Sequence, residues 1–157
     1  MNVNAEYVNP FLKAASSVFK SVVGVDLRRG KLVVKDKPSP SHEVAIIIGI
    51  TGGIQGVVVY SLAMSMVYKI ADILMPGLSK EQIDSEWKDI MGEFANMITG
   101  NAMNLFTDIT KGTQQVNITT PTVVEGKEFT ISAIQQTTLG INLYSPMGSL
   151  EMNVALK

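Results

Sequence analysis

A carboxylate and an amide stand three residues apart near the middle of the chain, at Glu93 and Asn96, and they are its best candidates for chemistry. The apolar residues around them recur at three- and four-residue steps from about residue 80 to residue 111, which predicts one long helix. On a helix, two side chains at this spacing lie beside each other. The amide can hold a water molecule without titrating. The spacing therefore predicts a carboxylate and an amide that lie side by side on the outer surface of the helix, and it leaves their function open.

The face of the predicted helix that carries this pair is polar. Steps of about 100° per residue place Glu86, Asp89, Gly100, Asn104 and Thr107 on the same arc. The opposite arc is apolar and holds Trp87, Met91, Phe94, Ala95, Ile98, Ala102, Leu105, Phe106 and Ile109. Such a stripe is usually a solvated face. Its mixture of carboxylate, amide and glycine also allows a partner to lie flat on it, and Gly92 and Gly100 are interior helix residues that predict close approach.

Other residue types that carry catalysis are scarce. The chain has no cysteine, one histidine and no clustered Asp, His and Cys set, so thiol chemistry is excluded and no metal site is expected. His42 stands in an expected loop without a partner nucleophile. The glycine-rich residues 49–56 lack the Lys-Ser/Thr pair of a phosphate cradle, so they predict a turn. Trp87 and the nine methionines are interpreted as core side chains, with an adaptable partner groove as the alternative for the methionines.

The composition of the 157 residues indicates one folded domain over residues 1–157. Hydrophobic residues make up 46% and charged residues 17%, and the net charge is −1, so disorder and nucleic-acid binding are not expected. The longest apolar run, residues 44–50, is too short to span a membrane. The first ten residues lack the basic start and apolar run of a signal peptide. We therefore expect a cytoplasmic protein.

The pattern of apolar residues predicts helices alternating with strands. Helices are expected over residues 4–23, ended by Gly24, over 63–75, ended by Pro76-Gly77, and over 80–111. Strands are expected over residues 31–35, 43–50, 55–62, 115–118, 129–138, 139–145 and 150–156, with 43–50 and 55–62 forming a hairpin. This order predicts an α/β fold of the α+β kind, with helices packed on a mostly antiparallel sheet. It also suggests two halves of similar plan, each a helix followed by strands.

Two stretches carry a family resemblance. The run Asp89-x3-Glu93-x2-Asn96, followed by Pro121-Thr122-Val123-Val124, resembles the signature of the CheC, CheX and FliY family of chemotaxis phosphatases. CheX is the closer match. The hairpin of residues 49–56 and the stretch of residues 116–124 also resemble CheX, so the likeness covers most of the chain. Glu-x-x-Asn alone would be a weak signal, and its combination with these stretches makes the resemblance specific.

The resemblance implies a reaction and a partner. Glu93 is expected to pair with the lysine of a phosphorylated receiver protein of the CheY type, and Asn96 to orient a water molecule in line with the phosphorus of the receiver's aspartyl phosphate. The receiver would supply Mg²⁺, so this chain needs no cofactor of its own. Asp89, Gly100 and Pro121 are expected to support the pair or contact the partner. The resemblance further implies a CheC-like layered fold and a homodimer.

Two departures from the family pattern accompany the resemblance. Pro121 comes slightly later after Asn96 than the proline of CheC-type sequences. Glu6-x-x-Asn9 repeats the motif on the first helix, but Pro10 follows at once and disfavours helical geometry at Asn9. We interpret Glu6 and Asn9 as a relic or as a helix start. The alternative function is a non-catalytic receiver-binding module, because flagellar switch proteins resembling this family share its fold and lack the pair.

Overall fold

Three helices lie on one face of a seven-stranded sheet in the computed structural model, which describes residues 5–109, 112, 115–127 and 136–157. The helices are α1 (Asn9–Val18), α2 (Met64–Leu74) and α3 (Lys80–Ile109). The strands are β1 (Arg28–Lys35), β2 (Val44–Gly52), β3 (Gly56–Leu62), β4 (Val116–Ile118), β5 (Thr122–Glu125), β6 (Thr138–Ser145) and β7 (Gly148–Leu156). Every strand pair is antiparallel. The predicted fold class is confirmed.

The first helix is less regular than the sequence predicts. A 3-10 turn over Ala5–Tyr7 precedes α1, and a π-helical turn over Phe19–Val23 follows it. Gly24, at φ +79°, ends the segment as predicted, because glycine adopts the left-handed region without a Cβ clash. The expectation that Pro10 disfavours helical geometry at Asn9 is not met, and the interpretation of this position as a helix start is supported. Asn9 is the first residue of α1, and Pro10 is tolerated because the first turn of a helix leaves its N–H groups unpaired.

The sheet interlocks the two halves of the chain. Its order is β1-β6-β7-β3-β2-β4, and β5 also pairs with β2 beside β4. Across the sheet, β1 of the first half is followed by β6 and β7 of the second half. Strands β3 and β2 of the first half come next, and β4 of the second half forms the other edge. If the strands of the two halves are exchanged and the sheet is read from its other edge, the order is the same. Each half also begins with a helix, α1 or α3. This arrangement supports the two similar halves that the sequence suggests, with α2 as an addition.

Most strand predictions agree with the structure, with differences at the sheet edges. The predicted hairpin is present, with Ile50 opposite Gly56 and Val44 opposite Leu62. Strand β1 is longer than residues 31–35 and begins at Arg28, and β5 has no counterpart among the predicted strands. The strand predicted over residues 129–138 lies outside the described residues, apart from its last three. Thr138, the last of these, begins β6.

The main core lies between the helices and the sheet. Helix α1 and the π-helical turn after it contact α3 through aromatic rings. The centroid distances are 5.8 Å between Phe11 of α1 and Phe106, and 5.2 Å between Phe19 of the turn and Phe94. A smaller buried cluster on the other face of the sheet contains Ala45, Val57, Val59 and Ala155. Within the described residues, none of the helices combines the length and the apolar character that crossing a membrane requires.

Candidate functional site

Helix α3 is anchored at its start and along its inner face. The Ser79 N–H donates to Gln82 Oε1 at 2.8 Å, and the Gln82 N–H donates to Ser79 Oγ at 3.2 Å, which is a capping box. The apolar arc that the sequence predicts is buried from Trp87 to Phe106 except at Leu105, which is partly exposed. The side chain of Ile109, the last member of that arc, lies outside the described residues. These contacts fix the rotation of the helix about its axis.

A buried hydroxyl pair ties α3 to the centre of the sheet. Tyr60 Oη on β3 lies 2.8 Å from Thr99 Oγ1, and the Thr99 hydroxyl also donates to the carbonyl oxygen of Ala95 at 2.8 Å. Both side chains are almost fully buried. Burial raises the pKa of Tyr60 far above its usual value, and the Thr99 hydrogen bond opposes that shift only in part. Tyr60 therefore stays neutral and serves as a structural anchor.

This anchoring leaves Glu93 and Asn96 on the outer side of the helix. Glu93 is exposed and Asn96 is half-buried, and both lie inside α3. Within the described part of the chain, neither side chain takes part in a hydrogen bond or ion pair. The carboxylate and the amide are thus not used to hold the fold together. They are available to a second molecule.

A cleft runs between α3 and the segment that connects β4 to β5. Its volume is about 300 Å³, and we call it the α3 cleft. It is lined by Lys88, Asp89, Gly92, Glu93, Thr120, Pro121 and Val123. Three of the residues singled out from the sequence, Asp89, Glu93 and Pro121, therefore line one cleft. Asn96 is not among the lining residues.

The two interior glycines of α3 differ in their surroundings. A Cβ atom at Gly92 would lie 3.6 Å from Val123 Cγ2 and 3.7 Å from Pro121 Cβ, which is ordinary van der Waals contact. A Cβ atom at Gly100 would have no heavy atom within 4 Å. Close packing within the described residues therefore does not require glycine at position 100. No residue in the described part of the chain makes the close approach predicted for Gly100.

Negative charge dominates the exposed face of α3. Glu86, Asp89 and Glu93 are all exposed there. Lys88 also lines the cleft, and its Nζ lies 5.7 Å from the centroid of the Trp87 ring. Because exposed carboxylates in a cleft attract a cationic group, this face suits a partner that presents a lysine or arginine.

The motif on the first helix has a different geometry. Glu6 lies in the 3-10 turn before α1 and Asn9 begins the helix, so the two do not share one continuous α-helical face as Glu93 and Asn96 do. Both line a groove of about 380 Å³ together with Pro10, Lys13, Leu105 and Asp108. This geometry supports the interpretation of Asn9 as a helix start.

The remaining candidates carry no chemistry in this geometry. His42 Nε2 lies 3.4 Å from Ser149 Oγ. The glycine-rich residues 49–56 are a turn only over 53–55, because residues 49–52 end β2 and Gly56 begins β3. Within the described residues, no group of three or more His, Cys, Asp or Glu residues is placed to hold a metal ion. Met66, Met91 and Met152 are in the core, whereas Met97, beside Asn96, is 38% exposed.

The sequence interpretation missed a polar cluster behind the sheet. Glu151 on β7 is 3% exposed, and its carboxylate lies 3.3 Å from Lys35 Nζ. The Ser41 N–H and the Asn153 amide donate to Glu151 Oε1 at 3.0 and 2.8 Å. Burial would raise the pKa of Glu151, but the hydrogen bonds from Ser41 and Asn153 and the charge of Lys35 hold it below its usual value. The available signal was a charged residue in an apolar strand.

Comparison with known proteins shows which family this chain is similar to. Residues 44–141 match the family model described as chemotaxis phosphatase CheX. A curated relative, the CheY-P phosphatase CheX of Thermotoga maritima, is 29% identical over 131 residues, which are 83% of each chain. The crystal structure of chemotaxis protein CheX from Desulfovibrio desulfuricans matches with a TM-score of 0.84 at 23% identity, over 97% of this chain and 99% of that one. The CheX-CheY-BeF3-Mg²⁺ complex from Borrelia burgdorferi matches with a TM-score of 0.77 at 24% identity, over 98% and 99%.

Proposed function

The chain belongs to the CheX family of chemotaxis phosphatases and is a phosphatase, and from this premise we propose that it hydrolyses the aspartyl phosphate of a CheY-like receiver in chemotaxis signalling. The observation that carries the proposal is the placement of the exposed Glu93 and the half-buried Asn96 on the outer side of α3, where neither side chain bonds to another described residue. The relative from Thermotoga maritima is named for the same substrate, and the Borrelia burgdorferi structure holds CheX together with CheY.

In the proposed reaction, Glu93 binds the receiver and Asn96 positions the attacking water molecule. The Glu93 carboxylate pairs with the receiver's lysine and thereby docks α3 against the receiver's active site. The Asn96 amide orients a water molecule in line with the phosphorus. A bond forms between the water oxygen and phosphorus, the bond to the aspartyl oxygen breaks, and inorganic phosphate and a free aspartate result. Phosphoryl transfer suits this division of labour, because it depends mainly on positioning and charge stabilisation.

The receiver supplies the metal in this proposal. Mg²⁺ offsets the phosphate charge, and in the Borrelia burgdorferi structure it accompanies CheY and BeF3. Asp89 adds a second carboxylate to the cleft that holds Glu93, Pro121 forms the opposite wall, and Gly100 leaves open space one turn beyond Asn96. All three are proposed to support the pair or to contact the partner.

The catalytic assignment is tested by phosphate release from a phosphorylated CheY-like receiver. Asn96→Ala should lower kcat by about 100- to 1,000-fold, on the order of what one positioned polar group contributes in other sites. Asn104→Ala is the matched control, because it makes the same change two turns along the same exposed stripe and should leave kcat within about twofold. Equal rates for wild type and Asn96→Ala would show that the assignment is wrong.

The same assay separates the enzyme from the alternative, a receiver-binding module without catalysis. A module of that kind would capture the receiver and leave the lifetime of its phosphate unchanged. The enzyme shortens that lifetime. The presence of both Glu93 and Asn96 favours the enzyme, since the flagellar switch proteins of this fold are expected to lack the pair.

We also propose that the chain works as a cytoplasmic homodimer. Strand β1 is an edge of the sheet and exposes Val33 by 47% and Val34 by 67%, so a second sheet could extend it. Light scattering should give twice the chain mass of 17.0 kDa. A particle of one chain mass at micromolar concentration would count against the dimer.

A further inference from the structure

The edge of the sheet beside the α3 cleft contains a β-bulge. Strand β4 pairs with β2 up to Ile118 opposite Ile50, and β5 resumes the pairing at Thr122 opposite Ile47. Two residues of β2 thus face three residues of the edge, 119–121. Proline has no N–H for a ladder and is found at sheet edges and bulges. The extra residue therefore lets the edge accommodate Pro121.

One threonine holds the bulge to β2. The Gly49 N–H donates to Thr119 Oγ1 at 2.8 Å, and the Thr119 N–H donates to the Gly49 carbonyl oxygen at 2.9 Å. The Thr119 hydroxyl also donates to the Thr120 carbonyl oxygen at 3.4 Å. In a regular antiparallel ladder, the Gly49 N–H would bond to a backbone carbonyl. Here the Thr119 hydroxyl accepts from the Gly49 N–H in place of a backbone carbonyl. The backbone of the edge can therefore turn away from β2 at the bulge.

Glycine is required at position 49 for this contact. A Cβ atom there would lie 2.9 Å from Thr119 Cγ2 and 3.1 Å from Thr119 Oγ1. A residue with a Cβ atom at this position would force the Thr119 side chain to shift and would disturb its hydrogen bond with the Gly49 N–H. Gly49 and Thr119 are therefore a matched pair, and we call them the bulge clamp.

The bulge clamp and the α3 cleft are on different faces of the sheet. Ile48 and Ile50 belong to the core under the helices, so Gly49, which alternates with them along β2, faces the other way, and Thr119 lies against it. Thr120 and Pro121, the next two residues, line the cleft on the helix side. Thr119 therefore does not line the cleft. It acts on the cleft only through the path of the bulge.

We propose that the bulge clamp is a positioning device for receiver binding, which sets the place of the cleft wall opposite Glu93. This inference rests on the proposed function. The cleft is lined by Glu93 and Asp89 but not by Asn96. A change in the wall should therefore alter docking of the receiver and leave the water-orienting amide in place. The expected signature is a higher Kd and KM with a nearly constant kcat.

The experiment compares three variants with wild type. Thr119→Val keeps the shape and removes the acceptor, Thr119→Ser keeps the hydroxyl, and Thr122→Val makes the same change at an exposed threonine three residues further along the edge. Binding is measured with a CheY-like receiver loaded with beryllofluoride and Mg²⁺, which does not turn over. Phosphate release from the phosphorylated receiver gives kcat and KM. Thermal unfolding is recorded for each variant.

Thr119→Val should raise Kd and KM about tenfold and keep kcat within about twofold, with an unfolding temperature within about 3 °C of wild type, because one exposed hydrogen bond contributes little to stability. Thr119→Ser and Thr122→Val should match wild type in Kd and KM. If Thr119→Val unfolds at a much lower temperature, Gly49→Ala gives the same test, since it displaces the same hydroxyl from the other side.

Three results would overturn the inference. Unchanged Kd and KM for Thr119→Val would remove the link between the bulge clamp and docking. An equal loss in Thr122→Val would mean that the edge strand contacts the receiver directly. A fall in kcat at constant KM would move the effect to the chemical step. A wild-type chain that neither binds nor dephosphorylates the receiver overturns the proposed function as well, so the two failures are distinguishable.

Discussion

Replacing Gly100 by alanine should make the fold more stable and the enzyme less active. Glycine in a helix interior costs about 1 kcal/mol relative to alanine. Among the residues that the structure describes, the new methyl group would meet no heavy atom within 4 Å outside the neighbouring backbone of α3, so no steric clash there offsets that gain. We expect the free energy of unfolding to rise by about 0.8 to 1 kcal/mol. For a chain of this size, the unfolding temperature should rise by about 2 to 4 °C.

The activity should change in the opposite direction. Gly100 lies one helical turn beyond Asn96 on the same surface, so a receiver lying on this face meets the added methyl group. A displacement of about 1 Å at a reacting centre can cost about 100-fold in rate. We expect kcat/KM for phosphate release to fall by about 10- to 100-fold. Urea unfolding and the phosphate-release assay measure the two effects on the same preparation.

A control variant on another helix distinguishes an effect of higher stability on turnover from a contact between the receiver and position 100. Asp72→Ala changes an exposed residue near the end of α2 and should also stabilise its helix, by about 0.5 kcal/mol, without altering phosphate release. Higher stability with unchanged turnover in Gly100→Ala would refute the idea that a partner approaches this glycine. A lower stability of Gly100→Ala than of wild type would show that the surroundings of position 100 are not open. The predicted gain in unfolding free energy depends on those open surroundings.

Three further outcomes follow from the structure. Glu151→Gln should lower the free energy of unfolding by about 2 kcal/mol at neutral pH. Because the pKa of Glu151 is lower in the folded state than in the unfolded state, the stability difference between this variant and wild type should shrink in acid. Urea unfolding at several pH values measures that difference. Asn9→Ala should leave phosphate release within about twofold of wild type, because Asn9 begins a helix instead of sharing a face with a carboxylate. Tyr60→Phe should cost only about 1 kcal/mol in urea unfolding, since Thr99 keeps its bond to Ala95, and a loss above about 3 kcal/mol would contradict this.

The part of the site that lies on α3 could be predicted because its signals are local. The alternation of apolar and polar residues along residues 80–109 fixes which arc is buried, and the buried Trp87, Met91 and Phe94 agree with it. The outward direction of Glu93 follows from the same periodicity. The hairpin could be predicted for a similar reason, since two runs of Val and Ile flank a glycine-rich turn. The chemical roles of Glu93 and Asn96 stay predictions.

The other side of the cleft depends on pairing between distant segments. Strand β2 pairs with two short strands instead of one, and the bulge between them brings Pro121 beside Gly92. The residues between the predicted strand at 115–118 and the next give no indication of which strand lies beside them. The 3-10 and π turns that flank α1 also depend on packing, because their residues carry ordinary helical patterns.

The interlocked strand order has a consequence for how the chain folds. Strands β3 and β7 are neighbours at the centre of the sheet, with Val57 opposite Ala155, although most of the chain separates them. During synthesis, the hairpin of β2 and β3 is complete long before β7 has been made. The edge of β3 that pairs with β7 is therefore unpaired during this time. That edge is rich in valine, and an open apolar edge invites pairing with other chains. Long-range pairing of this kind also folds slowly. The apolar edge of β3 therefore stays open to other chains until β7 has been synthesised.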